Sequence, residues 1–243
     1  MTAKPQQQGS HKSPGNTTLF RQIWLAGYGL GLLFSALYLL FRYFLLIEVF
    51  NLPALYRLAM ASYLASFGVS VVRGVLRTRL VALFMDPLQA LTIDSLPYAI
   101  LCFVSIIASP CPYLLLPLGI YAACHLSSTS NAFSNILGSR QPMLLELASH
   151  MELMSLLSIA LAFLFSRGSL VLFLFYPLWL RWQHGQNFRI RNAVEMWHQG
   201  ILWAVSREEC PVVLKSILLR FVSMISLFGE RTRFLGRHAT SSQ

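Results

Sequence analysis

Between Glu152 and Arg181 the chain carries a single charge, Arg167, in a stretch that is otherwise almost wholly apolar: MELMSLLSIALAFLFSRGSLVLFLFYPLWLRW, residues 151–182. A helix in a soluble core needs a polar face for water, and this run has none of useful width. The stretch therefore belongs in a bilayer. The chain beyond it is of a different kind: basic, amphipathic, rich in Trp and Phe, with no further clean span. A tail like that, leaving a membrane directly, lies on its surface rather than crossing it. Together the two features predict a multi-pass membrane protein that also grips the lipid interface.

Composition supports the same class. Of 243 residues, 56% are hydrophobic and 12% charged, against about 25% charged in ordinary soluble domains. The formal net charge is +10. Two readings of that charge hold together: Lys and Arg collect on the cytosolic side of membrane proteins, and they attract anionic head groups. No nucleic-acid reader motif accompanies the charge, so nucleic acid is not expected as a partner. Cys102, Cys111, Cys124 and Cys210 include no CxxC pair. They read as small apolar residues rather than a metal or redox site, and no cofactor is expected.

Along the chain, residues 1–18 are polar and read as a disordered tail with no cleaved signal peptide, the first span acting as its own signal. Residues 22–47 form that span, with Arg42 near its end, placed to snorkel. Gly27 and Gly31 make a GxxxG within it. That spacing reflects either plain tolerance of glycine in membrane helices or a packing seam where a neighbouring helix approaches closely. Residues 53–72 are less apolar, with small polar residues scattered through them; they span, lie flat or dip in partway. Arg73, Arg77 and Arg79 come next, marking a cytosolic end. Residues 80–95, with Asp86 and Asp94, read as an interfacial or short soluble helix.

Pro97, Pro110, Pro112 and Pro117 punctuate residues 96–125. The Ser109-Pro110-Cys111-Pro112 step breaks the run in two, because proline removes donors and clashes inside a helix. The result is either one kinked span or a hairpin of two short helices. The same ambiguity recurs at 151–182, where Ser166-Arg167-Gly168-Ser169 offers a break between a span at 144–165 and a second apolar arm. After residue 182 the tail divides at Cys210-Pro211. Before it, Ile190, Ala193, Val194, Trp197, Ile201, Ala204 and Val205 recur at helical spacing; after it, Val213, Ile217, Phe221, Met224, Ile225 and Phe228 do the same. The membrane-surface residues are expected to be Arg189, Arg191, Trp197, Trp203, Lys215, Ile217, Arg220, Phe221, Ile225 and Phe228. The two helices could alternatively pack on each other as a small soluble unit. The domain plan is thus a tail at 1–18, a membrane domain at 19–182, amphipathic helices at 183–229 and a basic end at 230–243.

Catalytic signals are thin. There is no GxSxG, HExxH, Walker or GxGxxG pattern. Glu146 and His150 are one helical turn apart with Glu152 just beyond, and read best as the polar start of a helix at the membrane edge. Asp86 and Asp94 have no nucleophile or ligand cluster near them. No enzymatic role is expected. The alternative is a small membrane transporter or a membrane-bound enzyme with an unrecognised site.

The tail carries a resemblance. YPLWLRWQHGQNFRIRNAVEMWHQGI followed by SREECPVVLKSILLRFVSMISLF resembles the C-terminal region of the transmembrane protein 33 family, called Krüppel homologue 2 in insects, which includes the yeast pore-membrane nucleoporins. The shared features are an aromatic-rich last arm, an amphipathic helix, then a Cys-Pro step opening a second helix with interior Lys215 and Arg220. The resemblance extends in layout over roughly residues 19–229. It implies an all-α protein of the endoplasmic-reticulum membrane and nuclear envelope, without catalysis, that shapes tubular reticulum and organises nuclear pores. Implied partners are curved anionic bilayer, reticulon-type proteins and nucleoporins. A transport receptor is the competing partner for the basic tail face, and homo-oligomers are expected through lateral contacts. The charge pattern expects the C-terminus in the cytosol.

Overall fold

The computed structural model describes residues 14–45, 51–77, 95–129, 134, 137–165, 168–207, 211 and 215–216. Helix α1 runs Pro14–Leu40 and continues as a π-helical turn, Phe41–Leu45. Helix α2 is Leu52–Arg77, α3 is Leu96–Ile107, and α4 is Leu115–Ser127, entered through a 3-10 turn at Pro112–Leu114. Helix α5 is Gln141–Leu164, preceded by a 3-10 turn at Gly138–Arg140; α6 is Leu170–Gln186 and α7 Phe188–Ser206. Among the described residues there is no strand. The chain is an all-α, multi-pass membrane protein.

Among the described residues, three helical stretches are long and apolar enough to cross a bilayer: Thr18–Phe44, Leu52–Leu76 and Gly138–Leu164. Helix α3, at 12 residues, is about 18 Å long, well short of the roughly 30 Å hydrocarbon layer.

Cross-contacts give the direction of each helix. Trp24 meets Ser70, Ser35 meets Tyr63, and Tyr38 meets Tyr56, so α1 and α2 are antiparallel. Tyr98 and Tyr121 bring their rings within 5.2 Å, and α3 and α4 run antiparallel, α3 packing mainly on α2 and α4 mainly on α1 and α5. Phe163 stacks on Phe173 at 4.3 Å, and Tyr176 donates to the Glu152 carbonyl at 3.0 Å, which folds α5 and α6 back on each other. The fold is therefore three helical hairpins in series. Phe67 on Tyr98 joins the first to the second, Ser155 on the Tyr113 carbonyl joins the second to the third, and Trp179 on the Pro97 carbonyl closes the third back on α3. The ends of α1, α3 and α5 and the starts of α2, α4 and α6 lie at one end of the bundle: Tyr38 meets Tyr56, Tyr56 lies by Cys111, and Cys111 and Gly168 line one recess. The opposite, open end holds the start of α1, the end of α2, the end of α4, the start of α5 and the departure into α7.

The core mixes tyrosine and serine hydroxyls with leucines such as Leu114, Leu115, Leu118 and Leu172. Buried positions include Tyr28, Tyr56, Tyr63, Tyr98, Tyr176, Ser35, Ser66, Ser105, Ser149 and Ser155. Exposed ones include Leu33, Phe44, Leu58, Leu76, Phe103, Ile107, Leu164, Leu174 and Leu178. Lipid is as apolar as leucine, so leucine gains nothing by moving inward, whereas hydroxyls must find partners. The outward leucines are the lipid face.

Several sequence expectations are thereby decided. Residues 96–125 form a hairpin rather than a kinked span, because Pro110 and Pro112 stop α3 and start the next turn. Residues 151–182 are two helices rather than one span; α5 ends at Leu164 and α6 begins at Leu170. Residues 53–72 stand against α1 rather than lying flat: the scattered small polar residues are the contact stripe, not a weakness of the span. Helix α1 begins at Pro14, inside the stretch expected to be a loose tail; residues 1–13 lie outside the described residues, as does the helix expected over most of 80–95.

Candidate functional site

Two features collect the polar and aromatic residues: a buried knot within the bundle, and helix α7 at its open end. The knot is built on Glu152, which is 1% exposed in the twelfth position of α5. Tyr98 donates its hydroxyl to Glu152 Oε1 at 3.0 Å, Tyr121 stands beside the same carboxyl, and Tyr176 donates to the Glu152 backbone carbonyl. Tyr98 is on α3, Tyr121 on α4 and Tyr176 on α6, so one residue of α5 touches three other helices. Trp179 packs on both Tyr98 and Tyr176. The sequence pattern expects Glu152 at a membrane edge; the structure puts it mid-helix and inside. The signal for this is an acidic residue within an apolar run, which is rarely placed without a partner.

Gly27 and Gly31 lie on α1 against α2. A Cβ on Gly27 would stand 2.8 Å from the Ser62 carbonyl oxygen and closer still to Ser66 Oγ; one on Gly31 would stand 2.6 Å from Tyr63 Cδ1. The space at Gly27 lets Ser66 donate to the Trp24 carbonyl at 3.0 Å, and the space at Gly31 admits the Tyr63 ring, whose hydroxyl shares a 3.0 Å hydrogen bond with Ser35. The neighbour at this seam is the chain's own α2, so these two glycines are covered within the first hairpin.

Helix α7 starts at Asn187, whose side-chain oxygen accepts from the Arg189 backbone N–H at 3.0 Å, a direct N-cap. Its apolar row does not face outward. Ile190 and Ala193 are buried, and Val194 and Trp197 pack on the core. The Trp197 indole N–H donates to His150 Nδ1 at 3.1 Å, fastening α7 to α5. Periodicity identifies this face; it cannot say whether protein or lipid covers it. Of the other expected surface residues, Trp203 is 61% exposed with the Arg207 guanidinium 3.9 Å above its ring. Arg189 lies over the Phe188 ring at 4.9 Å, and Arg191 and Lys215 are exposed. Phe188, Met196 and Leu202 are exposed beside them. That leaves an aromatic and basic outer face on a helix whose inner face is docked. Ile217, Arg220, Phe221, Ile225 and Phe228 lie outside the described residues. At the junction, beyond Arg181, burial and the nearby Arg191 charge hold His184 below the usual imidazole range.

The inventory for chemistry is short. Among the described residues no group of three or more His, Cys, Asp or Glu side chains is placed to hold a metal. Cys102, Cys111 and Cys124 are buried free thiols.

No curated protein and no solved structure matches this chain. A family model does, over residues 5–230, described as Transmembrane protein 33/Nucleoporin POM33. The match includes every helix described above and the whole amphipathic tail, and the chain belongs to this family of membrane proteins of the endoplasmic reticulum and nuclear pore.

Proposed function

We propose that this protein is a non-enzymatic organiser of curved membrane in the endoplasmic reticulum and nuclear envelope, acting by asymmetric insertion. The observation that carries the reading is that all three hairpins turn at one end of the bundle. At that end the described helices simply meet in pairs. At the other stands α7, with Phe188, Met196, Leu202 and Trp203 turned outward.

Charge gives the orientation. The open end carries Arg21, Arg73, Arg77 and Arg140, and the sequence adds nine Lys/Arg against four Asp/Glu over residues 181–243. The turn end carries Arg42 and Arg57, with Arg167 in the sequence between α5 and α6. The open end is then cytosolic, with both termini on that side. The wider cross-section falls in the cytosolic leaflet and favours membrane convex toward the cytosol, the shape of a tubule. The second tail helix expected from the sequence, with Ile217, Phe221, Ile225 and Phe228 on one face and Lys215 and Arg220 bordering it, adds to the same leaflet. Reticulon-type proteins and nucleoporins are the partners this role calls for. A second copy, if one associates, uses a face other than Gly27 and Gly31.

Curvature sorting tests the reading. The labelled full chain is placed in giant vesicles with anionic lipid, and a narrow tube is pulled from each. The expected result is a protein density several-fold higher on the tube than on the vesicle, reduced by a Leu202→Asp/Trp203→Asp double variant. Equal density on tube and vesicle contradicts the proposal.

A further inference from the structure

We propose that the turn end of the bundle holds a single glycerophospholipid, one acyl chain in a cleft between the second and third hairpins and its phosphate on Arg42. This goes beyond the tail-based reading and does not depend on it.

The cleft is about 550 Å³, lined by Tyr113, Ser158, Leu161, Ala162 and Phe165. It continues inward as a smaller recess beneath the proline-rich reversal, reaching Cys111 and Leu172. Its size falls in the range of clefts that hold small organic molecules. Ser158 and Ala162 form a shallow floor because they are small; Leu161 and Phe165 rise beside them, 45% and 75% exposed. The Ser158 hydroxyl already donates to the Met154 carbonyl at 2.9 Å. The floor is therefore effectively apolar and suits a hydrocarbon chain.

Among the described residues, a set of polar groups stands at one edge of the wider cleft. Tyr113, at the lip, is 46% exposed, and the Tyr43 hydroxyl lies against it. Arg42 is exposed, and its charge acts on the Tyr43 and Tyr38 hydroxyls. These residues close the Thr18–Phe44 span, and the cleft lies in the last two turns of the Gly138–Leu164 span, so both sit where acyl chains meet head groups. Tyrosine and arginine at that level face phosphate, with the apolar cleft on the bilayer side. The Arg42 cation, the Tyr43 and Tyr113 hydroxyls and an adjoining apolar slot in that order match the order of groups in a phospholipid. A wholly apolar occupant makes no use of Arg42, and free phosphate leaves the cleft unfilled.

The test uses the full chain in phosphatidylcholine vesicles doped with a phospholipid carrying a photoactivatable group in its acyl chain. Crosslinked peptides are then mapped by mass spectrometry. Labelling is expected to concentrate on the peptides containing Tyr113 and residues 158–165. Ala162→Phe, which fills the floor, should lower that labelling at least five-fold, and Arg42→Gln should lower it several-fold. Labelling along the outer face of α1, at Leu30 and Leu33, should stay unchanged in both variants, which also shows that they are folded and inserted. Excess inorganic phosphate should not compete. Labelling spread evenly around the lipid face, or cleft labelling indifferent to both variants, overturns the proposal. So does loss of cleft labelling to inorganic phosphate alone, which would make Arg42 an anion site without a lipid.

Discussion

Tyr63 fits against α1 because position 31 has no side chain, and its hydroxyl then reaches Ser35 one turn further on. Gly31→Leu should force the ring out and break that bond. Overpacking of this kind costs about 1–3 kcal/mol, and a lowered unfolding temperature in detergent should report it. Gly29, two residues away, has nothing within 4 Å of where a Cβ would stand; Gly29→Ala should leave the temperature unchanged or raise it slightly. Glu152 gives a second contrast. Glu152→Ala strands the buried Tyr98 hydroxyl, at about 1–3 kcal/mol, while Glu152→Gln keeps an acceptor there and should cost clearly less in the same measurement. Such residues are only half legible in the sequence. The GxxxG spacing is visible, but its partner is not, because nothing in α1 alone says which helix the gap receives. Glu152 is visible as an acid in an apolar run, but Tyr98, which donates to it, and Tyr121 beside it stand far from it along the chain and meet it only through the packing of three helices.

Hairpins are the unit of this fold, and prolines and small polar residues set their limits. The break at Ser109–Pro112 is plain from the sequence; that the two arms fold back rather than bend is not, since it depends on Tyr98 meeting Tyr121. Helix α7 is plain as an amphipathic helix, yet its apolar row meets α5 and α6, because periodicity marks a face and not its neighbour. The His150–Trp197 hydrogen bond pins α7 to the bundle. Trp197→Phe keeps the ring and removes the donor, at a cost of about 1 kcal/mol. Hydrogen exchange should then quicken roughly five-fold across residues 188–206 and stay unchanged in α1 and α2. Uniform change across all helices would mean that α7 is integral to the bundle rather than docked on it.

At the scale of the whole molecule, three hairpins in series return the chain to the side it left, and the cations gather there. A tag at either end of the chain should therefore be clipped by protease added outside intact microsomes, while a tag placed between Leu45 and Asn51 should be protected. A protected C-terminal tag would remove the cytosolic orientation and with it the sense of the curvature. The most direct measurement of the central claim is electron cryomicroscopy of large vesicles reconstituted with the full chain at rising protein-to-lipid ratio. The account predicts that vesicles narrow and draw out into tubules as the ratio rises, with the open end of the bundle on the convex side. Vesicles of the same radius and shape at every ratio would contradict it.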